Sequence, residues 1–240
     1  MNARFKFWLI TLAALLAVAV TLSLGRWQLS RATQKEALQA RIDERATLPE
    51  LSTRTLAATA DPMAHLDRRV RLRGRWLSGR TVFLDNRQMN HKPGLYVVTP
   101  MQLEDSEAVI LVQRGWVARN FMDRALLPKI ETPAQSVEIV GRIGPPPSRL
   151  YDFDGRETGL IRQNLAMDRF AAELGLPLLG VSVQQLGAAE DGLLREWPAA
   201  GSGVEKNYGY AFQWFALSVL FAVLYVWFQI VRRFIRARRA

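Results

Sequence analysis

The sequence predicts a membrane α+β protein, in which N- and C-terminal transmembrane helices bracket a mainly antiparallel β extracytoplasmic domain. Two apolar runs near the ends of the 240-residue chain predict the helices. Between them, several short segments alternate apolar and polar residues, which is the pattern of half-exposed strands. Strand patterns outnumber helical ones and short turn sequences separate most of them, so we expect an antiparallel sheet that curls into a small barrel or a sandwich.

Both apolar runs are long enough to cross a bilayer. They cover residues 7–24 and 208–231, and neither contains Asp, Glu, Lys or Arg. Since a helix rises about 1.5 Å per residue, roughly 20 residues cross a hydrocarbon core of about 30 Å. A cleaved signal peptide ending near residues 17–19 is the alternative for the first run. We expect retention as a helix, because the run exceeds most signal-peptide cores and a helix-compatible segment follows it.

The basic residues at the two ends predict the topology. Five arginines follow the second run, and two basic residues precede the first. Positively charged flanks stay in the cytoplasm, so we expect residues 1–6 and the basic tail 232–240 there. Residues 25–207 then form a periplasmic β-rich domain of a bacterial inner-membrane protein. Three basic residues shortly after the first run oppose this orientation, but long loops translocate largely regardless of charge.

Composition excludes several classes of function. The net charge of +10 lies mainly at the two ends, which argues for topology and against a nucleic-acid partner. The absence of cysteine excludes disulfides, iron–sulfur clusters and thiolate metal sites. The two histidines, His65 and His91, fall in predicted loops, and no hydrolase, nucleotide-binding or metalloprotease motif is present. We therefore expect no catalytic residue, no metal site and no enzyme activity.

The pattern between the spans predicts the order of elements. Residues 26–45 predict a polar helix that continues the first span, with Trp27, Arg31 and Lys35 on one face. Residues 46–66 predict a linker with at most one short helix. Predicted strands cover residues 70–76, 81–85, 95–99, 109–113 and 137–143, with weaker candidates at 159–164 and 181–183. A polar loop is expected at 85–93, and a short helix at Met167–Leu174 with Gly175 as its C-cap.

The first group of candidate site residues lies where the two spans meet the outer membrane boundary. The first span ends in GRWQLSR (residues 25–31), and the second begins with NYGYAFQWF (residues 207–215). The candidates are Gly25, Trp27, Gln28, Arg31, Tyr210, Trp214 and Phe215. An aromatic belt is the alternative interpretation, because Trp and Tyr favour the interface and Arg extends its charge to it.

The second group lies in the predicted sheet, at residues 84–87, 94–100 and 112–117. The candidates are Asp85, Asn86, Arg87, Gly94, Thr99, Pro100, Arg114, Gly115 and Trp116. Strand ends, turns and a bulge explain the same residue types. The two arginines could pair with carboxylates or bind an anionic ligand group.

Six motifs in this order resemble the surfeit-locus-1 family of cytochrome c oxidase assembly proteins: GRWQLSR, GRW, LDNR, GLYVVTP, QRGW and YAFQWF. The resemblance covers nearly the whole chain. It implies an assembly factor that assists haem a delivery into subunit I, or the maturation of that subunit. The implied partners are cytochrome c oxidase subunit I, haem A synthase and membrane lipid, and the implied cofactor is a transient haem a.

The resemblance also assigns roles at the membrane boundary. Aromatic walls would come from Trp27, Tyr210, Trp214 and Phe215, and cations for the haem propionates from Arg26, Arg31 or Lys35. Asn207 stands where many members have a histidine that has been proposed as a haem ligand. Because asparagine binds iron poorly, ligation from the second helix is not expected, and haem would be held otherwise or by a partner.

Three alternatives remain open. The first is a structural two-helix accessory or scaffold protein of a respiratory complex that binds no haem. The second is a periplasmic sensor or small-molecule-binding domain. The third, copper delivery, is disfavoured because the chain has no cysteine and clusters neither methionine nor histidine.

Overall fold

The computed structural model describes residues 2–123, 126–150, 159–188, 192–199 and 201–237. The chain divides into a helical unit, Met1–Ala40 with Ala199–Ala240, and a β unit, Arg41–Pro198. In chain order, the helices are α1 (Ala3–Ala46), α2 (Thr53–Ala58), α3 (Met167–Leu174), α4 (Val204–Tyr225) and α5 (Arg232–Ala237). The strands are β1 (Leu51–Ser52), β2 (Arg69–Trp76), β3 (Val82–Met89), β4 (Lys92–Leu103), β5 (Val109–Ala118), β6 (Val137–Gly144), β7 (Ile161–Arg162) and β8 (Leu178–Gln185).

The helical unit contains the two expected terminal helices. The apolar run 7–24 and the polar segment 26–45 form one continuous helix, α1, of 44 residues. The second run lies in α4 and the π-helical segment that follows it, Val226–Val231, and the helix then continues as α5. By length and composition, Arg4–Ala46 and Val204–Ile235 are long and apolar enough to cross a membrane. Their insertion and the topology of their ends stay predictions.

The β unit is built on a sheet that closes on itself. Strands pair in the order β1-β2-β6-β8-β5-β4-β3-β7, and β2 also pairs with β4. The strands β2, β6, β8, β5 and β4 therefore form a closed ring, with β3 and β1 attached at its rim. Among the described residues, five of these strand pairings are antiparallel, while β1–β2, β3–β7 and β5–β8 are parallel. The sheet is thus mixed and barrel-like.

Strict alternation on β2 shows how the sequence fills the barrel. Val70 and Leu72 are fully buried, whereas the arginines between and beside them are exposed. Leu72 belongs to a core cluster with Met101, Ile110 and Val183 from three other strands. β5 is buried on both faces, and its Leu111 belongs to a second cluster with Phe170 of α3. As predicted, α3 ends at Gly175, which has the left-handed φ of 68°.

The prediction of a polar loop at residues 85–93 is wrong. β3 runs to Met89 and pairs with β4 from Lys92, which leaves only Asn90 and His91 in the turn. Both turn residues have positive φ, 51° and 62°, as a two-residue hairpin of type I′ requires. The polar residues of this segment misled the prediction, because β3 alternates exposed Asn86 and Gln88 with buried neighbours.

The segment 46–66 contains more regular structure than the predicted linker with at most one short helix. Helix α2 is the expected short helix, and Ser52 caps it by accepting a hydrogen bond from the Thr55 amide. The segment also contains β1 and a 3-10 helix at Pro62–His65. β1 is only two residues long, too short to leave a periodic signal in the sequence.

Candidate functional site

Arg87 makes internal contacts within the β unit. Its side chain is 4% exposed. The guanidinium donates to the Ser148 hydroxyl at 2.9 Å, the Ser148 carbonyl at 2.7 Å and the Gln163 carbonyl at 2.8 Å. A rigid fork of donors suits several fixed carbonyls at once. Arg87 therefore ties two irregular segments to β3. Nearby, Asp85 accepts from Arg119, and Asn86 occupies a bulge with φ 57°.

Trp116 and Gly94 form a close contact between β5 and β4. The Trp116 indole is 3% exposed, and its Nε1 donates to the Arg87 carbonyl at 2.9 Å. A Cβ on Gly94 would lie 2.4 Å from the indole and 2.3 Å from the Val117 carbonyl oxygen. Only glycine permits this approach. This contact accounts for Gly94 in the GLYVVTP motif and for Trp116 in the QRGW motif, and no bound ligand is needed to explain them.

The remaining candidates of the second group also make internal contacts. Arg114 is the extra residue of a β-bulge; it lies 4.6 Å over the Trp76 ring and donates to the Glu131 carbonyl at 2.8 Å. A Cβ on Gly115 would lie 2.8 Å from the Leu193 Cβ. Thr99 hydrogen-bonds Thr81 at 2.9 Å, and the Pro100 carbonyl accepts from the Leu77 amide at 2.9 Å. These contacts favour the structural interpretation of this group.

Charged residues line a cavity of the β unit. The cavity, of 570 Å³, lies beside α2 and β2. Arg71 and Arg73 each donate to Glu138 in its wall, at 2.9 and 2.6 Å. These hydrogen bonds hold the pKa of Glu138 below its usual value. The cavity is lined by residues other than the candidates, and the charges of Arg71, Arg73 and Glu138 in its wall are paired with one another.

In the helical unit, contacts between α1 and α4 fix an antiparallel register. A Cβ on Gly25 would lie 2.7 Å from the Phe215 ring, so this glycine lets the ring pack directly on α1. The Thr11 and Tyr225 hydroxyls are 2.9 Å apart further along the pair. The register places Trp27 level with Trp214 and Arg31 level with Tyr210. The structure thus brings together the two sequences that flank the predicted spans.

Asn207 is the centre of a polar layer between the two helices. Its Oδ1 accepts from the Lys35 ammonium at 2.9 Å, and its Nδ2 donates to Gln28 Oε1 at 2.7 Å. Lys35 also donates to the Ser202 carbonyl at 3.2 Å. We define the polar layer as Gln28, Lys35 and Asn207. Both polar atoms of the Asn207 side chain are engaged in it.

Most of the first group shares one flank of the helix pair. Arg31 lies between Gln28 and Lys35 at helical spacings of three and four, and Trp27 lies one turn before Arg31. Tyr210 and Trp214 follow Asn207 at the same kind of spacing, so they lie on the side of α4 that carries the polar layer. We define the aromatic flank as Trp27, Arg31, Tyr210 and Trp214. Trp27 is 56% exposed and Tyr210 53% exposed.

Phe215 does not belong to the aromatic flank. It packs on Gly25 at the opposite side of the contact, where Tyr208 donates to Glu36 at 2.8 Å. The aromatic flank therefore offers three rings and one guanidinium, with the Lys35 ammonium beside them. Such a set suits a flat apolar ring system that carries carboxylates.

The aromatic flank contains side chains that match the ring and the carboxylates of a haem. It contains no imidazole that could bind the iron. Asn207 is hydrogen-bonded on both sides, and His65 and His91 belong to the β unit. Within the described ranges, no group of three or more His, Cys, Asp or Glu could hold a metal ion. By side-chain type, the flank could contact the periphery of a haem, and none of the four residues that define it is a good iron ligand.

The seam that joins the helices was not predicted from the sequence. Its α1 side is Thr21, Gly25, Gln28, Ala32, Lys35 and Gln39, which are buried or half-buried at alternating spacings of three and four. On α4, Asn207, Ala211, Trp214 and Ser218 repeat in the same way. These spacings are visible in the sequence and indicate a left-handed helix pair. The signal was obscured because most of the seam residues are small or polar.

Comparisons with known proteins agree with the family resemblance that the six motifs indicated. The sequence model of the SURF1 family matches residues 15–219. A SURF1-like protein of Rickettsia conorii is 28% identical over 218 residues, 86% of this chain and 85% of that protein. SURF1-like proteins of Rickettsia felis and Drosophila melanogaster are each 33% identical, over 112 and 125 residues, which cover 46% and 40% of those proteins. The family match includes the aromatic flank, the polar layer and the β unit.

Proposed function

The chain belongs to the SURF1 family of cytochrome oxidase assembly factors, and on that premise we propose that it assists haem a delivery into, or maturation of, subunit I of a haem–copper cytochrome c oxidase. Haem A synthase is the proposed donor and subunit I the proposed acceptor. The proposed setting is a bacterial inner membrane, with both termini cytoplasmic and the β unit periplasmic. The role requires no reaction at the protein, and haem a is its cargo.

The observation that carries the proposal is the aromatic flank. The register of α1 and α4 sets Trp27 and Trp214 at one level, and Arg31 and Tyr210 at the next, with Trp27 and Tyr210 more than half exposed. Exposed rings can cover the faces of a porphyrin, while Arg31 and Lys35 can pair with its propionates. Haem a must leave the protein again if it is cargo. A flank that contacts only the periphery of the haem, and gives the iron no ligand, suits transient binding.

The scaffold interpretation has one observation in its favour. Asn207 joins two residues of α1, so the position that carries a proposed ligand in related proteins serves helix pairing here. On this alternative, the helix pair would hold a respiratory-complex subunit and bind no haem. Absorbance of the purified protein separates the delivery function from the scaffold function. A haem signal after purification in mild detergent supports delivery, and the absence of that signal at every stage of the purification supports the scaffold.

The function is tested in a strain that lacks this protein. We expect reduced-minus-oxidised spectra of its membranes to show a severalfold loss of the haem a signal of cytochrome c oxidase, while the b- and c-type cytochromes are unchanged. The unaltered gene should restore the signal. A deletion strain with a full haem a signal and full oxidase activity would contradict the proposal.

A further inference from the structure

The polar layer stands out from the rest of the helix seam. Around it, the buried seam residues are small: Gly25 and Ala32 on α1, and Ala211 and Ser218 on α4. Small residues let helices approach closely, but apart from the Gly25–Phe215 contact they offer few features that specify one longitudinal position. Asn207 differs, since it must meet one acceptor and one donor at once.

The two partners of Asn207 lie one heptad apart on α1. Gln28 accepts from its amide nitrogen and Lys35 donates to its oxygen, so the amide sits between them and matches only one register. Sliding the helices by a heptad would move Asn207 about 10 Å along α1, away from one of its two partners. A single polar residue in a helix seam can fix register in this way, and the half-buried Asn207 occupies such a position.

The register decides whether the aromatic flank exists. Trp27 and Arg31 come from one helix, and Tyr210 and Trp214 from the other. A shift of one heptad would place each pair about 10 Å from its present level. We propose that Asn207 is a positioning residue, which fixes the register of α1 against α4 through Gln28 and Lys35 and so assembles the two halves of the aromatic flank. The inference rests on the proposed function only where oxidase is the readout.

The chain offers a direct test of register because it contains no cysteine. A Cβ on Gly201, which lies before α4, would be 3.4 Å from the Cβ of Gln39 on α1. Disulfides join Cβ atoms about 3.5–4.5 Å apart, so a Gln39→Cys/Gly201→Cys protein should cross-link readily. Cross-linking is followed in isolated membranes with a mild oxidant, and oxidase is measured in the same membranes.

Adding Asn207→Leu to this double-cysteine protein should slow disulfide formation roughly fivefold, the factor that corresponds to about 1 kcal/mol of interhelical hydrogen bonding. Gln213→Leu is the matched control, since Gln213 is an exposed amide of α4, and it should leave the rate unchanged. Asn207→Asp should retain most of the rate, because its carboxylate still accepts from Lys35. An unchanged rate in the Asn207→Leu protein would overturn the inference.

Oxidase separates positioning from direct contact with cargo. Asn207→Leu alone should lower the haem a signal, and the Gln39–Gly201 disulfide should restore it by holding the register covalently. If the disulfide forms fully and the signal stays low, Asn207 contacts the cargo itself and the positioning role is wrong. Failure of the proposed function is distinguishable, because it would leave oxidase unaffected by every variant while the cross-linking rates still report the register.

Discussion

Replacing Gly94 with alanine is expected to destabilise the β unit by about 3 kcal/mol or more, the upper range for overpacking a close contact. The added methyl would lie 2.3 Å from the Val117 carbonyl oxygen and 2.4 Å from the Trp116 indole. Neither group can retreat easily: the carbonyl is main chain of β5, and the indole is anchored to the Arg87 carbonyl. Urea unfolding of the purified protein, followed by tryptophan fluorescence, measures the loss.

Gly180→Ala is the matched control for this substitution. Gly180 lies in β8 of the same unit, and a Cβ there would meet nothing within 4 Å. We expect Gly180→Ala to be neutral or slightly stabilising, because alanine restricts the unfolded chain. Equal midpoints for both alanine variants would show that β4 and β5 are not as closely apposed at Gly94 as described.

Arg87→Met should cost the β unit about 3 kcal/mol, because it removes three hydrogen bonds that the buried, charged guanidinium donates to partly buried oxygen atoms. The guanidinium bonds the Ser148 and Gln163 carbonyls together, and a lysine ammonium cannot reproduce that fork. Arg87→Lys is therefore expected to recover little of the lost stability. The measurement is the free energy of unfolding from urea titration of each purified variant.

Arg75→Met is the control for Arg87, since Arg75 is an exposed arginine of β2. It should change stability little. If Arg87→Met were as stable as the unaltered protein yet failed to support oxidase, Arg87 would be a ligand-binding residue, as its motif first suggested. That result would move the functional surface into the β unit.

Local patterns in the sequence predicted the parts of the fold that depend on local order. The alternation on β2 and the Gly175 cap appear as expected, because burial of one strand face and a left-handed cap leave direct traces. The hairpin of β3 and β4 was missed, since its turn residues, Asn90 and His91, sit among polar strand residues. Closure of the barrel by β2 and β4 is a long-range pairing that no local pattern encodes.

The candidate site was predicted in part for the same reason. Helical spacing already placed Trp27 and Arg31 on one face, and the aromatic run identified Tyr210 and Trp214. Separating Phe215 from them required the register of the two helices, which depends on the Gly25 contact and the polar layer. The buried roles of Arg87 and Trp116 depend on partners distant in sequence, so motif identity alone suggested a site where the structure shows internal bonds.

If the aromatic flank serves oxidase assembly, its residues control the haem a signal in membranes of the complemented deletion strain. We compare the variants Trp27→Tyr, Arg31→Gln and Trp214→Tyr with the control Trp227→Tyr at equal membrane abundance. The Trp227 side chain is 54% exposed, against 56% for Trp27, but it lies at the other end of the helix pair. An aromatic belt tolerates such exchanges, whereas a cargo site depends on particular shapes and charges. We predict a severalfold lower signal for the three flank variants and a full signal for Trp227→Tyr. Full signals for all four proteins would show that the flank is a membrane-interface belt and not a cargo site.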